Sequence, residues 1–364
     1  HTGKVVENPN YSSFVDALTP ARFQQDRKRS LSAKEKILVQ CDQQKPMKFT
    51  EVLSGSVLSN CVKVGEGTYG EVYKTNDGVE DVALKVIPVE GNFTVNEEPQ
   101  KSFEDMIPEI VISKELSNLC ECDDVRNAVH VGWNFVKVKR VMLVQDSYPD
   151  KLLQEWNSWK NNHDSENERP DMFQSDQYFI VFEFVDGGVD LERFQFNSME
   201  EALSVLQQVA ISLSVAEESL MFEHRDLHWG NVLVKRTKCK KIHYKLGGDD
   251  ICVKSAGVFV SIIDFTLSRL TKDGMTVYCD LSKDPDIFKG KGDFQFQVYR
   301  LMRKDNSNDW ECHKPYSNVL WIRYLIDKIL NAKKIQESKQ QHSEKHKNIS
   351  SSSSFVRISI TGCQ

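Results

Sequence analysis

The stretch FEHRDLHWGN, residues 222–231, sets His224, Arg225 and Asp226 in succession and places Asn231 five positions after the aspartate. The pattern H-R-D-x-x-x-x-N puts a carboxylate beside an attacking hydroxyl and a side-chain amide beside a metal ion. Such a loop needs a rigid element to deliver it and a second carboxylate after it. Upstream, SMEEALSVLQQVAISLSVAEESL opens with Ser198 three residues before Glu201, a capping box, and repeats Leu203, Leu206, Ala210 and Leu213 at helical spacing. This predicts a long core helix leading to His224. Downstream, the apolar run Val260-Ser261-Ile262-Ile263 predicts a strand that ends on Asp264.

The N-terminal half supplies a complementary set. Gly65-Glu66-Gly67-Thr68-Tyr69-Gly70-Glu71-Val72 fits G-x-G-x-x-G-x-V. Strand-forming residues resume at once in EVYKT, so these glycines predict a hairpin turn whose backbone can close over phosphates, rather than the start of a helix. Lys85, in Val82-Ala83-Leu84-Lys85, follows after the next hairpin, where a strand can aim its ammonium at nucleotide phosphates. A carboxylate must hold that lysine. Glu104, Glu109 and Glu115 are the candidates, and Glu109, flanked by apolar residues, is preferred. Asp226 would orient the nucleophile and accept its proton, worth roughly 100- to 10,000-fold for a positioned base. Asn231 and Asp264 would hold Mg²⁺ against the phosphates of a nucleotide.

Around these motifs, residues 1–47 read as a polar N-terminal extension with a basic triplet, Arg27-Lys28-Arg29. From 48 the short segments FTEVLSG, CVKVGEG, EVYKTNDG and DVALKVIPV predict antiparallel strands, with Asp77-Gly78 at a hairpin turn. SFEDMIPEIVISKELSNL predicts a helix that Pro108 either starts or kinks. QYFIVFEFV, 177–185, predicts a buried strand, and Asp186-Gly187-Gly188 a joint between two lobes, 48–186 and 187–333. After VSIIDF the order reads as irregular until the helix YSNVLWIRYLIDKIL, and 334–364 reads as a polar, disordered tail.

Composition narrows the class. The 364 residues are 40% hydrophobic and 27% charged, a globular balance. No apolar run approaches the roughly 18 residues of a membrane helix, so no membrane association is expected. A net charge of −6 argues against a broad nucleic-acid surface and favours a basic partner peptide. Nine cysteines, with Cys120-Glu-Cys122 the one close pair, read as reduced thiols without a metal site.

Protein kinases share the ordered motifs with small-molecule phosphotransferases of the aminoglycoside and choline type. His228 and Gly230 resemble the latter, whereas Arg225 and the glycine loop favour the former. A kinase-like scaffold without activity is a third reading, against which the intact set Lys85, Asp226, Asn231 and Asp264 argues. The stretches PEIVISKELS, FEHRDLHWGNVLVK, VSIIDFTLSRL and PYSNVLW resemble the haspin kinases over about residues 12–330. The resemblance implies an α+β, bilobal protein-kinase-like fold: a small β-rich N-lobe and a larger, mainly helical C-lobe with an atypical activation segment.

It further implies ATP and Mg²⁺ as cofactors and, as substrate, a threonine near the start of the histone-three tail. The implied setting is a monomer in the nucleus, on mitotic chromosomes. ATP contacts would then come from Gly65, Glu66, Gly67, Thr68, Tyr69, Gly70, Val72, Ala83, Lys85, the gatekeeper Phe184, the hinge residues Val185, Asp186 and Gly187, Asp190 near the ribose, Asn231 and Asp264. Asp190 or Glu192, His228, Asp284, Asp286 and Asp293 would line the substrate groove. Two departures from ordinary kinases fit: Asp264-Phe265-Thr266 lacks the usual glycine, and no Ala-Pro-Glu follows. Activity without activation-loop phosphorylation is expected. Val185 and Asp186 depart from the usual haspin hinge.

Overall fold

The computed structural model describes residues 31–119, 134–165 and 167–332. These divide into two compact units. One holds the described chain to Lys114 with Lys137–Asp186; the other holds Glu115–Val136, where described, and the chain from Gly187 on. The Arg27-Lys28-Arg29 triplet, Cys120-Glu-Cys122 and the 334–364 tail lie outside the described residues.

The first unit begins with helices α1 (Ala33–Gln40), α2 (Phe49–Val52) and α3 (Gly55–Ser59). Expected as a strand, FTEVLSG is therefore a helical turn. The Glu51 carboxylate accepts the Lys48 N–H, Ser54 caps the next helix, and Phe49, Val52 and Leu53 fall together into the core. Spacing of three and four outweighed the apparent alternation. Strands β1 (Val62–Gly67), β2 (Gly70–Asn76) and β3 (Asp81–Val89) follow as predicted, and Asp77 and Gly78 (φ 95°) make the β2–β3 turn. A small hairpin, β4 (Thr94–Val95) with β5 (Glu98–Pro99), precedes helix α4 (Phe103–Asn118).

Helix α4 begins before Pro108. Ser102 and Asp105 exchange side-chain-to-backbone bonds that start it at Phe103, and Pro108 sits inside. β6 (Val138–Gln145), helix α5 (Asp150–Asn162) and β7 (Tyr178–Val185) complete the unit. The sheet runs β1-β2-β3-β7-β6, antiparallel throughout. One face packs Tyr73, Leu84, Val86, Met142, Phe179 and Val181 against Phe49, Tyr148, Leu152 and Phe173. Burial of each large apolar side chain contributes roughly 1.5–3 kcal/mol. Because directly paired residues share a face, Val72, Lys85 and Phe182, with Ala83 and Phe184 beside them, occupy the other.

The second unit is built on helix α6 (Met199–Leu220). The Ser198 hydroxyl accepts the Glu201 N–H as predicted, but the Glu201 carboxylate accepts from Asn197 and Arg236 instead of closing the box on Ser198. Leu206 and Leu213 are buried as predicted, whereas Leu203 and Ala210 are only partly so, and the stripe is filled out by Val205, Val209, Ser212 and Ala216. β8 (Val189–Asp190), β9 (Val232–Arg236) and β12 (Val258–Ile262) form a sheet in the order β12-β9-β8, and β10 (Lys241–Leu246) pairs with β11 (Asp249–Lys254).

Buried amides tie helix to sheet. Gln208 Nε2 donates to Val258 O at 3.0 Å and Asn134 Nδ2 to Val260 O at 2.8 Å. The region expected to be irregular is ordered instead: β13 (Arg269–Lys272) and β14 (Met275–Tyr278) make a hairpin, and α7 (Phe294–Asp305) precedes α8 (Tyr316–Asn331). Asp293 starts α7 by accepting the Gln295 N–H, while Val298, Tyr299 and Met302 bury one side. Among its described residues three long helices hold more of the chain than seven short strands do, so this unit is helix-rich with a larger share of strand than the sequence led one to expect.

Candidate active site

The glycine hairpin is a two-residue loop: Gly67 pairs with Gly70, leaving Thr68 and Tyr69 at the tip. A Cβ on Gly70 would lie 2.2 Å from the Val86 carbonyl oxygen, so the cross-strand approach requires glycine there. A Cβ on Gly67 would meet nothing within 4 Å, which leaves room over the backbone for a phosphate. A buried ionic cluster braces the loop from below. The Lys63 ammonium reaches Glu66 at 2.9 Å and also pairs with Glu71, and Asn167 Nδ2 donates to Glu71 at 2.9 Å and to Gly67 O at 3.1 Å. Burial pushes Glu71 up, against the pull of Lys63. The Asn167 brace had no signal in the sequence.

On the sheet face opposite the aromatic core, Lys85 Nζ stands 2.8 Å from Glu109 Oε1, as the choice of Glu109 over Glu104 and Glu115 anticipated. Glu115 pairs with Lys272. Phe182 and Phe184 stack at 5.4 Å on this face. Val185 N donates to Lys137 O at 2.9 Å, and Asp186 accepts from Lys74 at 2.8 Å.

In the second unit, His224 and Asn231 frame Asp226. The His224 ring donates from Nε2 to Ile263 O at 3.0 Å and accepts the Asp226 N–H on Nδ1 at 3.3 Å. Burial lowers this histidine to about 4, so it is neutral at physiological pH. Asn231 Nδ2 donates to Asp226 O at 2.8 Å, and its backbone carbonyl accepts the Ile263 N–H at 3.0 Å. That last bond joins the loop to the segment carrying Asp264, which turns at φ 62°. The amide nitrogen being committed, Asn231 Oδ1 is the atom left for a cation. Together with the Asp264 carboxylate it offers hard oxygen donors, and with phosphate oxygens these suit Mg²⁺. Among the described residues no group of three or more His, Cys, Asp or Glu side chains that could hold a metal ion occurs.

Tyr299, unanticipated in the sequence, donates its hydroxyl to Asp226 Oδ1. Burial pushes the Asp226 carboxyl up to about 8; the Tyr299 hydroxyl and Asn231 amide oppose this, and the Asp264 charge adds to it. His228 accepts the Gly230 N–H on Nδ1 at 3.1 Å, capping the short turn Trp229–Asn231, while its Nε2 lies 4.0 Å from Asp226. Burial lowers its basicity, favouring a neutral ring. Lys328 lies 4.7 Å over Trp229 and pairs with Asp293.

Of the remaining candidates for the groove, Asp190 is bonded to Arg193 and Glu192 is exposed. Asp284 accepts the Asp286 N–H, and Asp286 pairs with Lys289 at the surface. Arg225 is fully buried: Nη1 donates to Trp310 O at 2.8 Å, the guanidinium contacts Glu223 at 3.2 Å, and it lies 5.3 Å from the Trp310 ring centroid.

A two-residue glycine hairpin and a lysine–glutamate pair in one unit, with an aspartate, an amide and a second carboxylate on neighbouring backbone in the other, are arrangements of the kind a kinase domain uses. Comparison with known families narrows this: the model of the haspin like kinase domain matches residues 8–358, and the chain belongs to that family. It is 49% identical over 326 residues to the serine/threonine-protein kinase haspin of Bos taurus, covering 89% of this chain and 41% of that protein. Identity to the haspin of Mus musculus is 46%, over 89% of this chain and 43% of that protein, and to the Drosophila melanogaster haspin homolog 37%, over 82% and 53%. The chain thus spans about two fifths to half the length of these relatives.

Proposed function

We propose that this chain is a serine/threonine protein kinase that transfers the terminal phosphoryl group of ATP to a threonine near the N-terminus of the histone-three tail. It would act as a monomer, on mitotic chromosomes in the nucleus. Its two units would be the lobes of a bilobal kinase fold. The observation that carries the reading is Asp226, held on one oxygen by Tyr299 and bonded through Asn231 to the Asp264 segment. Lys85, fixed by Glu109, would hold phosphate oxygens, and the hairpin from Gly65 to Val72 would cover them. Ala83, Phe184, Val185, Asp186 and Gly187 would flank the adenine, with Asp190 toward the ribose. Mg²⁺, when bound, would neutralise phosphate charge, with Asn231 Oδ1 and Asp264 as its protein ligands.

Asp226 would orient the threonine hydroxyl and take its proton late in the transfer. Glu192, Asp284, Asp286 and Asp293 would attract the basic residues of the tail, and His228, neutral, would stand beside the acceptor. The deciding assay supplies Mg²⁺ and ATP with an unmodified histone-three tail peptide, and separately choline and aminoglycosides. Threonine phosphorylation should appear, and Asp226→Asn should reduce it by roughly 100- to 10,000-fold. Turnover only with the small molecules would reject the protein-kinase reading, and none with any acceptor would favour a scaffold.

A further inference from the structure

The β4–β5 excursion touches both residues at the tip of the glycine hairpin. Asn96 Nδ2 donates to Thr68 O at 3.0 Å, and Lys101, just beyond β5, places its ammonium 4.5 Å from the centroid of the Tyr69 ring. The same ammonium lies 3.6 Å from Glu109 Oε2. That oxygen is buried and has no hydrogen-bond partner, whereas Oε1 takes Lys85. The Lys101 side chain is only 13% exposed. Its backbone is built in: Glu90 N donates to Lys101 O at 3.0 Å, Gly91 N donates to Gln100 Oε1 at 3.0 Å, and Gln177 Nε2 holds that same oxygen at 2.9 Å. Two lysines therefore share one buried carboxylate, and the second of them also meets the tip of the loop.

We propose that Lys101 is a positioning residue that latches the glycine hairpin to the Lys85–Glu109 pair, so that loop closure over nucleotide and the setting of Lys85 occur together. The inference rests on the ATP reading above. A cation held over an aromatic face in a partly dry site attracts the ring's π electrons. When Lys85 turns toward phosphate, Lys101 keeps the buried Glu109 charge compensated. An unpaired carboxylate there would be costly. Losing the latch frees the tip and speeds nucleotide release.

Binding of a fluorescent ATP analogue tests this, with dissociation followed by stopped flow on wild type, Lys101→Met, Tyr69→Leu and the double variant. Each single variant should bind roughly 3- to 30-fold more weakly, chiefly through faster release. The double variant should lose no more than one single, because both break the same contact. Lys101→Arg, which keeps the cation, should retain near-wild-type affinity, and Tyr69→Phe, which keeps the ring, should bind more tightly than Tyr69→Leu.

Singles that bind like wild type, or losses that multiply in the double variant, overturn the latch. If Lys101→Met does not fold, Tyr69→Leu against Tyr69→Phe decides: equal affinities overturn it. A wild-type chain that does not bind the analogue overturns the ATP reading, and the latch with it.

Discussion

Tyr299 lies 73 positions from Asp226 and yet donates to it, which is why no local pattern could have revealed the contact. Its ring packs edge-on to Trp321 at 5.4 Å, so Tyr299→Phe keeps the packing and removes one hydrogen bond. In the ionised form of Asp226 that would act as base, a bond to the carboxylate is worth about 1.5–3 kcal/mol. Tyr299→Phe should therefore lower kcat roughly 10- to 100-fold while leaving the KM for ATP near wild type. Because that bond holds the raised Asp226 carboxyl down, its loss should also move the acid limb of kcat/KM to higher pH, read from pH–rate profiles of both proteins. The His-Arg-Asp spacing, by contrast, was legible: the chemistry of the loop is local, and Asn231 does bond to Asp226 as the interval of five permits.

Elements show the same division. Strands β1 to β3 and β7 announced themselves through alternating or continuous apolar runs and a glycine turn. Helix α7 did not, since FQFQVYRLMRKD mixes polar and aromatic residues and its start depends on Asp293, which the acidic context disguised as a solvated loop. Asp293→Ala should lose the cap of α7, at about 1 kcal/mol, and its pair with Lys328, measurable by denaturant unfolding. In α6, burial raises the Glu217 carboxyl to about 7, with Asn318 opposing it and Glu223 adding to it. The folded value exceeds the usual 4.5, so the folded state binds the proton more tightly, and stability falls as pH rises from about 4.5 to 7. Glu217→Gln removes this slope: its melting temperature should exceed wild type at pH 8 and match it near pH 4.

Across the whole molecule, acidic residues outnumber basic ones, and the proposed substrate is a basic tail. Asp284→Ala combined with Asp286→Ala should raise the KM for a histone-three peptide several-fold and spare that for ATP; equal changes in both would refute their place in the groove. The chain passes between the two units at three places: one, Asp186 to Gly187, is the two-glycine joint read in the sequence, whereas Lys114 to Glu115 and Val136 to Lys137 carried no such signal and put Glu115–Val136 in the second unit instead of the expected 48–186 lobe. The segment beyond Asp264 was legible only in what it lacks. Without an Ala-Pro-Glu anchor it is secured by contacts among distant residues: Phe288 stacks on Trp310 at 6.0 Å, and Arg300 holds the Phe288 and Gly290 carbonyls. Phosphatase-treated protein should keep its turnover within about twofold of untreated, since Arg225 is already engaged by Glu223 and the Trp310 carbonyl.

That engagement of Arg225 bears on how such a catalyst can be governed. An arginine that waits for a phosphate works as a relay, open until a second enzyme writes a charge beside it. Here the relay is wired shut by residues the chain carries from synthesis. For the kinase proposed above, no second enzyme would then be needed to write a charge beside this arginine, and output would follow the number of copies and their nearness to substrate rather than a phosphate added here.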